Sequence, residues 1–430
     1  MLKTVSEVFP VLKTERMDYD ANLKPLVSQL PLVSCQACVI VPVRDEAKSL
    51  EATLLALTNQ IDFQAKPLNK NCYEIIVLAN NCSDNSTEIA RNFAQTHPDL
   101  VLHIVEMTLN SDRAHIGWVR KLLMDEAYRR LKFIGRDTGI IASTDGDTRV
   151  SSTWIAAIMQ EINSGIDAVG GRIITERKER LALERATRLY FLRYVGYQYL
   201  VAQLETILDP DSYECLPRHH QHFGASLAVT ARMYAKVGGL PPWRSSEDVA
   251  LYKALKRVDA HFRHSPKVRV ATSARVIGKA KAGLADRLSQ LKMMAYKHQP
   301  MLVESAELLQ ARFCLRRQLR CLWQKVREGK TSSVELLIIA PKLDIASNLL
   351  EESIWRSPTF GLLVEQIGLY QQDNDELERN WQKVTIQKAI ADLRTIASGF
   401  SSHSPLKQFE SLSLNALEQI KPILLSPQSM

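Results

Sequence analysis

At 430 residues the chain exceeds what one hydrophobic core usually organises, so one large domain with a smaller addition is expected. The composition, 46% hydrophobic and 24% charged, is that of a soluble globular protein, and 55 basic against 47 acidic residues leave a net charge of +8 that favours anionic partners. Neither an interleaved basic and aromatic repeat nor a zinc-finger spacing occurs, so no nucleic acid partner is expected.

The seven cysteines are scattered and odd in number, which suits free thiols in a reducing cytoplasm. Cys35 and Cys38 form a C-x-x-C without a second pair, and Cys38 enters the run Val39-Ile40-Val41, so they read as a strand lead-in. Met1 to Asp20 carries charges throughout and offers no signal peptide. No stretch reaches about 18 uninterrupted apolar residues, so no transmembrane segment is expected.

Residues 1–35 look like an amino-terminal extension punctuated by Pro10, Pro25 and Pro31. The β-rich run Ala37 to Val43 follows, then Arg44-Asp45-Glu46 and a helix-like segment with Leu50, Leu54, Leu55 and Leu57 at helical spacing. The pattern repeats: strand Tyr73 to Leu78, the polar run Asn80 to Ser86, helix Thr87 to Thr96, strand Leu100 to Met107, helix Gly117 to Leu131, strand Gly139 to Ser143. Strands alternating with helices predict an α/β fold with a largely parallel sheet, whose ligands bind at the carboxyl ends of the strands.

The last of these strands ends in Asp145-Gly146-Asp147. Two carboxylates one residue apart can hold a hard cation, Mg2+ or Mn2+, and present its free positions to phosphate oxygens; the plainer alternative is a polar turn. Asp45 with Glu46, Asn80 with Asp84, Arg120, and Asp145 with Asp147 all fall at strand ends on one sheet edge. That convergence favours a site.

These elements resemble a family 2 glycosyltransferase of GT-A fold over residues 38 to 275. Pro42-Val43-Arg44-Asp45-Glu46 resembles the family's P-x-x-N-E type loop, which touches the nucleoside, with Asp45 for asparagine. Asn80-Asn81-Cys82-Ser83-Asp84 stands where many members have an acidic base-reading stretch. Gly117-Trp118-Val119-Arg120-Lys121 resembles the G-x-x-R-N piece near the diphosphate, and Asp145-Gly146-Asp147 the D-x-D motif. In that motif the second aspartate binds the metal, and the first supports the ribose or a metal-bound water. Phe223 to Gly239 and then Glu247-Asp248 resemble the acceptor-side loop and the E-D motif.

The resemblance implies a nucleotide-sugar donor and a hydroxyl acceptor, with Pro42, Arg44, Glu46, Asn80, Asp84, Arg120 and Asp145 at the donor. Asp145 and Asp147 would bind the metal, and Glu247 and Asp248 would be catalytic. Asp248 as general base implies inversion; alternatively Glu247 and Asp248 are acids in a helix's first turn. Some related retaining enzymes, glucosyl-3-phosphoglycerate synthases among them, add a downstream histidine to the metal shell, which here points to His264. Those relatives share an N-N-x-S-x-D loop, so retention stays open. His219, His220 and His222 read as polar loop residues. A nucleotidyltransferase would be expected to carry a Gly-rich phosphate loop, which is missing after the first strand; a non-catalytic scaffold must explain why Asp145, Asp147, Glu247 and Asp248 are all present.

Tyr190 to Tyr199 marks a helix that is core or interface, a homodimer included, with peripheral membrane contact as the sharper reading. Domains are therefore expected at 1–35 (extension), 36–278 (GT-A) and 279–430 (carboxy-terminal helical region). In the last, helices are predicted over Gly283 to Arg327, Val334 to Leu350, Phe360 to Tyr370 and Glu376 to Ser398, with looser chain from Ser401 on.

Overall fold

The computed structural model describes residues 25–279, 281–330, 333–372, 381–401 and 422–425. The expected residues 1–24, 376–380 and most of the chain after Ser401 lie outside them. Strand β1 (Ala37–Val43) is buried along its whole length, as is β2 (Tyr73–Asn80). Continuous apolar runs of this kind suit the interior of a parallel sheet covered on both faces. Alternate residues of β1 serve opposite faces. Val39 and Val41 meet α1 (Leu50–Thr58), α2 (Ser86–Thr96) and a later helix through Leu50, Leu54, Phe93 and Trp154. Cys38 and Ile40 meet α3 (Ile116–Phe133) through Val119, Leu123 and Met124. Each such fully buried leucine contributes about 1.5–3 kcal/mol.

Six further strands complete the sheet: β3 (Leu102–Met107), β4 (Ile140–Ser143), β5 (Thr148–Val150), β6 (Ala168–Thr175), β7 (Leu227–Thr230) and β8 (Phe262–Thr272). The order is β3-β2-β1-β4-β7-β6-β8-β5. β1 is parallel to β2 and β4, and β6 to β8, whereas β7 runs antiparallel to both β4 and β6. The sheet is mostly parallel, and it brings the carboxyl ends of β1, β2, β4 and β8 to one edge. Helices α4 (Trp154–Asn163), α5 (Arg177–Ala182), α6 (Arg185–Leu208), α7 (Ala231–Lys236) and α8 (Glu247–Arg257) connect the later strands.

β8 is longer than the expected Val268 to Ser273. Pro266 cannot donate to a ladder, and the pairing jumps from Gly171↔Ser265 to Arg172↔Arg269 around it. The helices predicted over Gly283 to Arg327 are α9 (Leu284–Tyr296) and α10 (Ala306–Arg327), with Pro300 and the short β9 (Leu302–Val303) between them. Val334 to Leu350 likewise divides into α11 (Ser333–Ile339) and α12 (Ser347–Arg356), before α13 (Phe360–Gln372), β10 (Val384–Thr385) and α14 (Ile386–Ser401). α6 is built into this addition: its Phe191, Tyr197, Leu204 and Leu208 share a core with Leu288, Leu309, Phe313 and Leu393. The described part of the extension straps onto α3, where Leu26 N–H donates to Glu126 (3.2 Å) and Arg130 to the Gln29 carbonyl (2.7 Å).

Candidate active site

The Asp145-Gly146-Asp147 turn lies against the tip of β1. Gly146 has no positive φ. Space is tight there all the same, since a Cβ would stand 3.1 Å from Val43 Cγ2 and 3.3 Å from Glu46 Cγ. Thr53 Oγ1 donates to the Gly146 carbonyl at 3.1 Å, tying the turn to α1. Burial, opposed by Arg120, raises the affinity of Asp145 for its proton; burial and then repulsion from Asp145 push Asp147 up to about 6.

Arg120, buried on α3, gathers four partners. Its Nε–H donates to Glu247 Oε1 (3.0 Å), Nη1 to Ser143 Oγ (2.7 Å) and the Gly224 carbonyl (3.1 Å), and Nη2 to Asp145 Oδ1 (3.0 Å). A Cβ on Gly224 would meet the guanidinium at 2.4 Å, so any larger residue there would displace it. The Gly224 N–H in turn donates to Asp248 Oδ2 at 2.7 Å, and the Val249 N–H to Asp248 Oδ1 at 2.8 Å. Two main-chain amides thus fix the Asp248 carboxylate at the start of α8, which serves the helix and a reactive role alike. Glu247 is 3% exposed and raised by burial, so it positions Arg120.

The loop after β1 is stitched to the loop after β2. Asp45, at φ 53°, accepts from the Ser83 N–H (2.6 Å), the Ser83 hydroxyl (3.1 Å) and the Asp84 N–H (3.3 Å). Aspartate, like the asparagine it replaces, tolerates that left-handed conformation. Asp84 accepts from the Ala47 N–H (3.0 Å) and Ser86 from the Glu46 N–H (2.8 Å), while Arg44 donates to the Ala114 carbonyl (3.2 Å). Asn80 is buried at the end of β2 and donates to Asn81 Oδ1 at 3.3 Å, and the Pro42 carbonyl lies 3.4 Å from where a Gly146 Cβ would stand.

Two cations beyond β8 complete the cluster. Arg275 grips Glu46 with both nitrogens (2.8 and 3.0 Å) and lies 3.0 Å from Asp147 Oδ2; Lys279 lies 2.8 Å from Glu46 and also donates to the Asp45 carbonyl. Neither residue falls in a motif singled out in the sequence. Their one signal was position, directly after a strand that ends on the site's edge. His264 is placed differently. Its Nδ1 faces Glu214 at 2.8 Å and its Nε2 faces His222 at 3.4 Å, in a buried cluster with His219 and Tyr252, and it makes no bond to Asp145 or Asp147 among the described residues. Burial, then Arg218, keeps its imidazole neutral.

Residues 38–216 match the model of the Glycosyl transferase family 2. Glycosyltransferase AglE of Haloferax volcanii is 29% identical over 156 residues, which are 34% of this chain and 41% of that protein, so the chain spans about two fifths of this curated relative. Mannosyltransferase PcManGT from Pyrobaculum calidifontis, solved with GDP-Man and Mn2+, is similar at 15% identity and a TM-score of 0.36, over 91% of this chain and 86% of that one. S. aureus TarS 1-349, solved with UDP-GlcNAc, gives 10% and 0.39 over 79% and 92%. Glucosyl-3-phosphoglycerate synthase from Mycobacterium tuberculosis, solved with Mn2+, UDP-Glc and phosphoglyceric acid, gives 12% and 0.35 over 63% and 84%.

Proposed function

Residues 38–216 match the Glycosyl transferase family 2 model, and from that match we propose that this chain moves a glycosyl group from a nucleoside-diphosphate sugar to an acceptor hydroxyl, with a divalent metal and with inversion. The observation that carries it is the meeting of Asp145, Asp147, Glu46, Arg120 and Asp248 at one sheet edge, from four separate stretches of chain.

The donor set fits a hard cation. Asp145 and Asp147 offer only carboxylate oxygens; burial disfavours the charge of both, and Asp145 adds repulsion at Asp147, a cost that a cation would relieve. Mg2+ or Mn2+ bound there would neutralise the departing diphosphate. Arg120 holds Asp145 in place. Arg275 and Lys279 supply positive charge beside the leaving group. Asp84, Asn80, Arg44 and Pro42 shape the nucleoside end. Asp248 takes the acceptor proton as the hydroxyl attacks the anomeric carbon, its carboxylate aimed by the two amides that hold it.

The test is calorimetric binding of a panel of nucleoside diphosphates and nucleotide sugars, with and without Mn2+, on the wild type and Asp147→Ala. Metal-dependent binding of one nucleotide, abolished by the substitution, is expected; a folded protein that binds none of the panel overturns the reading. The Asn80-Asn81 loop favours the retaining alternative, and the anomeric configuration of the first product, read by NMR, separates the two.

A further inference from the structure

Helix α6 carries an apolar stripe that no described element covers. Leu189, Leu192 and Tyr199 fall on one helical face, with Gly196 between them, and Leu192 is 50% exposed. No atom lies within 4 Å of where a Gly196 Cβ would stand. The opposite face is spent: Phe191, Tyr197 and Leu204 are buried. The adjacent helix α9 repeats the division. Its Leu288, Leu291 and Ala295 are buried, whereas Met293 is exposed and Tyr296 is 80% exposed. The two helices are joined where Arg287 stacks over the Tyr194 ring and where the Tyr190 hydroxyl donates to the Gln299 carbonyl at 2.9 Å. Single exposed leucines are ordinary; a stripe continued on a neighbouring helix marks an interaction surface.

Charge selects the occupant. Residues 172–199 hold seven basic side chains against three acidic, and residues 275–297 hold six against one. Arg185, Arg193, Lys292 and Lys297 are exposed and make no ion pair among the described residues. The surface also borders the carboxylate cluster, because Glu179 of α5 accepts from the Ser273 hydroxyl (2.8 Å) and the Ala274 N–H (2.7 Å), next to Arg275.

We infer that this face docks on an anionic lipid bilayer, with the leucines and tyrosines at the acyl boundary and the arginines and lysines among headgroup phosphates. A second copy of the chain fits less well: isologous pairing of the α6 stripes would gather Arg185 and Arg193 of both copies, more basic than acidic charge, since Glu184 is the one acidic residue between 180 and 199. No helix of the described residues is long and apolar enough to cross a membrane, so the contact is peripheral. The inference stands on this surface and not on the glycosyl-transfer reading.

Co-sedimentation of the full chain with phosphatidylcholine vesicles, with and without phosphatidylglycerol, tests it. Partitioning is expected to rise at least about tenfold with phosphatidylglycerol and to fall at high salt. R185E/R193E and L189S/L192S should each lose about tenfold or more of that partitioning, with thermal unfolding and nucleotide binding unchanged. Phe133→Ser, which alters an exposed apolar residue at the end of α3, should keep it. Equal partitioning onto both vesicle types, equal loss with Phe133→Ser, or a dimer by sedimentation equilibrium that L189S/L192S dissociates would overturn the inference.

Discussion

Arg120 and Glu247 stand 127 residues apart in the chain and meet at 3.0 Å with both side chains buried. Through the same guanidinium the bond reaches Asp145, so α3, α8 and the end of β4 are fixed against one another at the point where the carboxylates converge. Lysine cannot reproduce a planar fork that serves Glu247, Ser143, Gly224 and Asp145 at once. Arg120→Lys is therefore expected to cost about 2 kcal/mol in urea unfolding and to weaken nucleotide binding about tenfold or more. Unchanged stability would show the bridge to be incidental.

The parallel strands were legible because apolar runs of β-branched residues buried on both faces leave little ambiguity: Val39 to Val41 and Ile75 to Leu78 can hardly be anything else. The strand ends then located the carboxylates. What the sequence could not show was which charges pair. Arg275 and Lys279 lie more than 200 residues from Glu46, a long-range meeting that no periodicity encodes. The contact of His264 with Glu214 was hidden for the same reason, since Glu214 sits in a loop whose path is set by tertiary packing.

Arg275 engages Asp147 Oδ2, an oxygen for which a cation held by Asp147 would have to compete. Its guanidinium, 34% exposed, lies 3.0 Å from Asp147 Oδ2 and also holds Glu46. Arg275→Gln is expected to tighten Mn2+ binding in the absence of nucleotide by about fivefold, the equivalent of ~1 kcal/mol for a partly exposed pair. On the proposed reaction, glycosyl transfer should fall in the same variant, because a cation proposed to sit beside the leaving group is gone. Titration calorimetry with Mn2+ alone reads the first effect; unchanged affinity would mean that Arg275 does not compete for Asp147.

Asp248 serves a helix start and, on the proposal above, a proton. The two roles separate in Asp248→Asn. Asparagine presents one acceptor oxygen where aspartate presents two to the Gly224 and Val249 amides, so about 1 kcal/mol of stability should be lost. Loss of a general base lowers kcat by roughly 10²–10⁴ with little change in KM for the donor. A drop in activity no larger than the drop in folded fraction would reduce Asp248 to a capping residue.

Away from the site, Glu74 on β2 and Arg130 on α3 form a buried pair at 2.6 and 2.9 Å, with His103 at 3.2 Å and the Cys38 thiol at 3.0 Å from the same carboxylate. Burial alone would favour the neutral acid. The hydrogen bonds from His103 and Arg130 outweigh it and hold Glu74 at about 2. A carboxyl depressed on folding stabilises the protein above its unfolded value of 4.5, and the contribution disappears as pH falls through about 2. The pair should therefore supply about 3 kcal/mol at neutral pH that is lost across that window. Arg130→Ala, which leaves the charge buried and unpaired, is expected to cost about 3–5 kcal/mol at pH 7, whereas the apolar exchange Glu74→Leu with Arg130→Met should cost much less and flatten the acid limb of the stability curve. Chemical unfolding between pH 2 and pH 7 distinguishes them; an acid limb that persists unchanged in the double variant would assign it to other carboxylates.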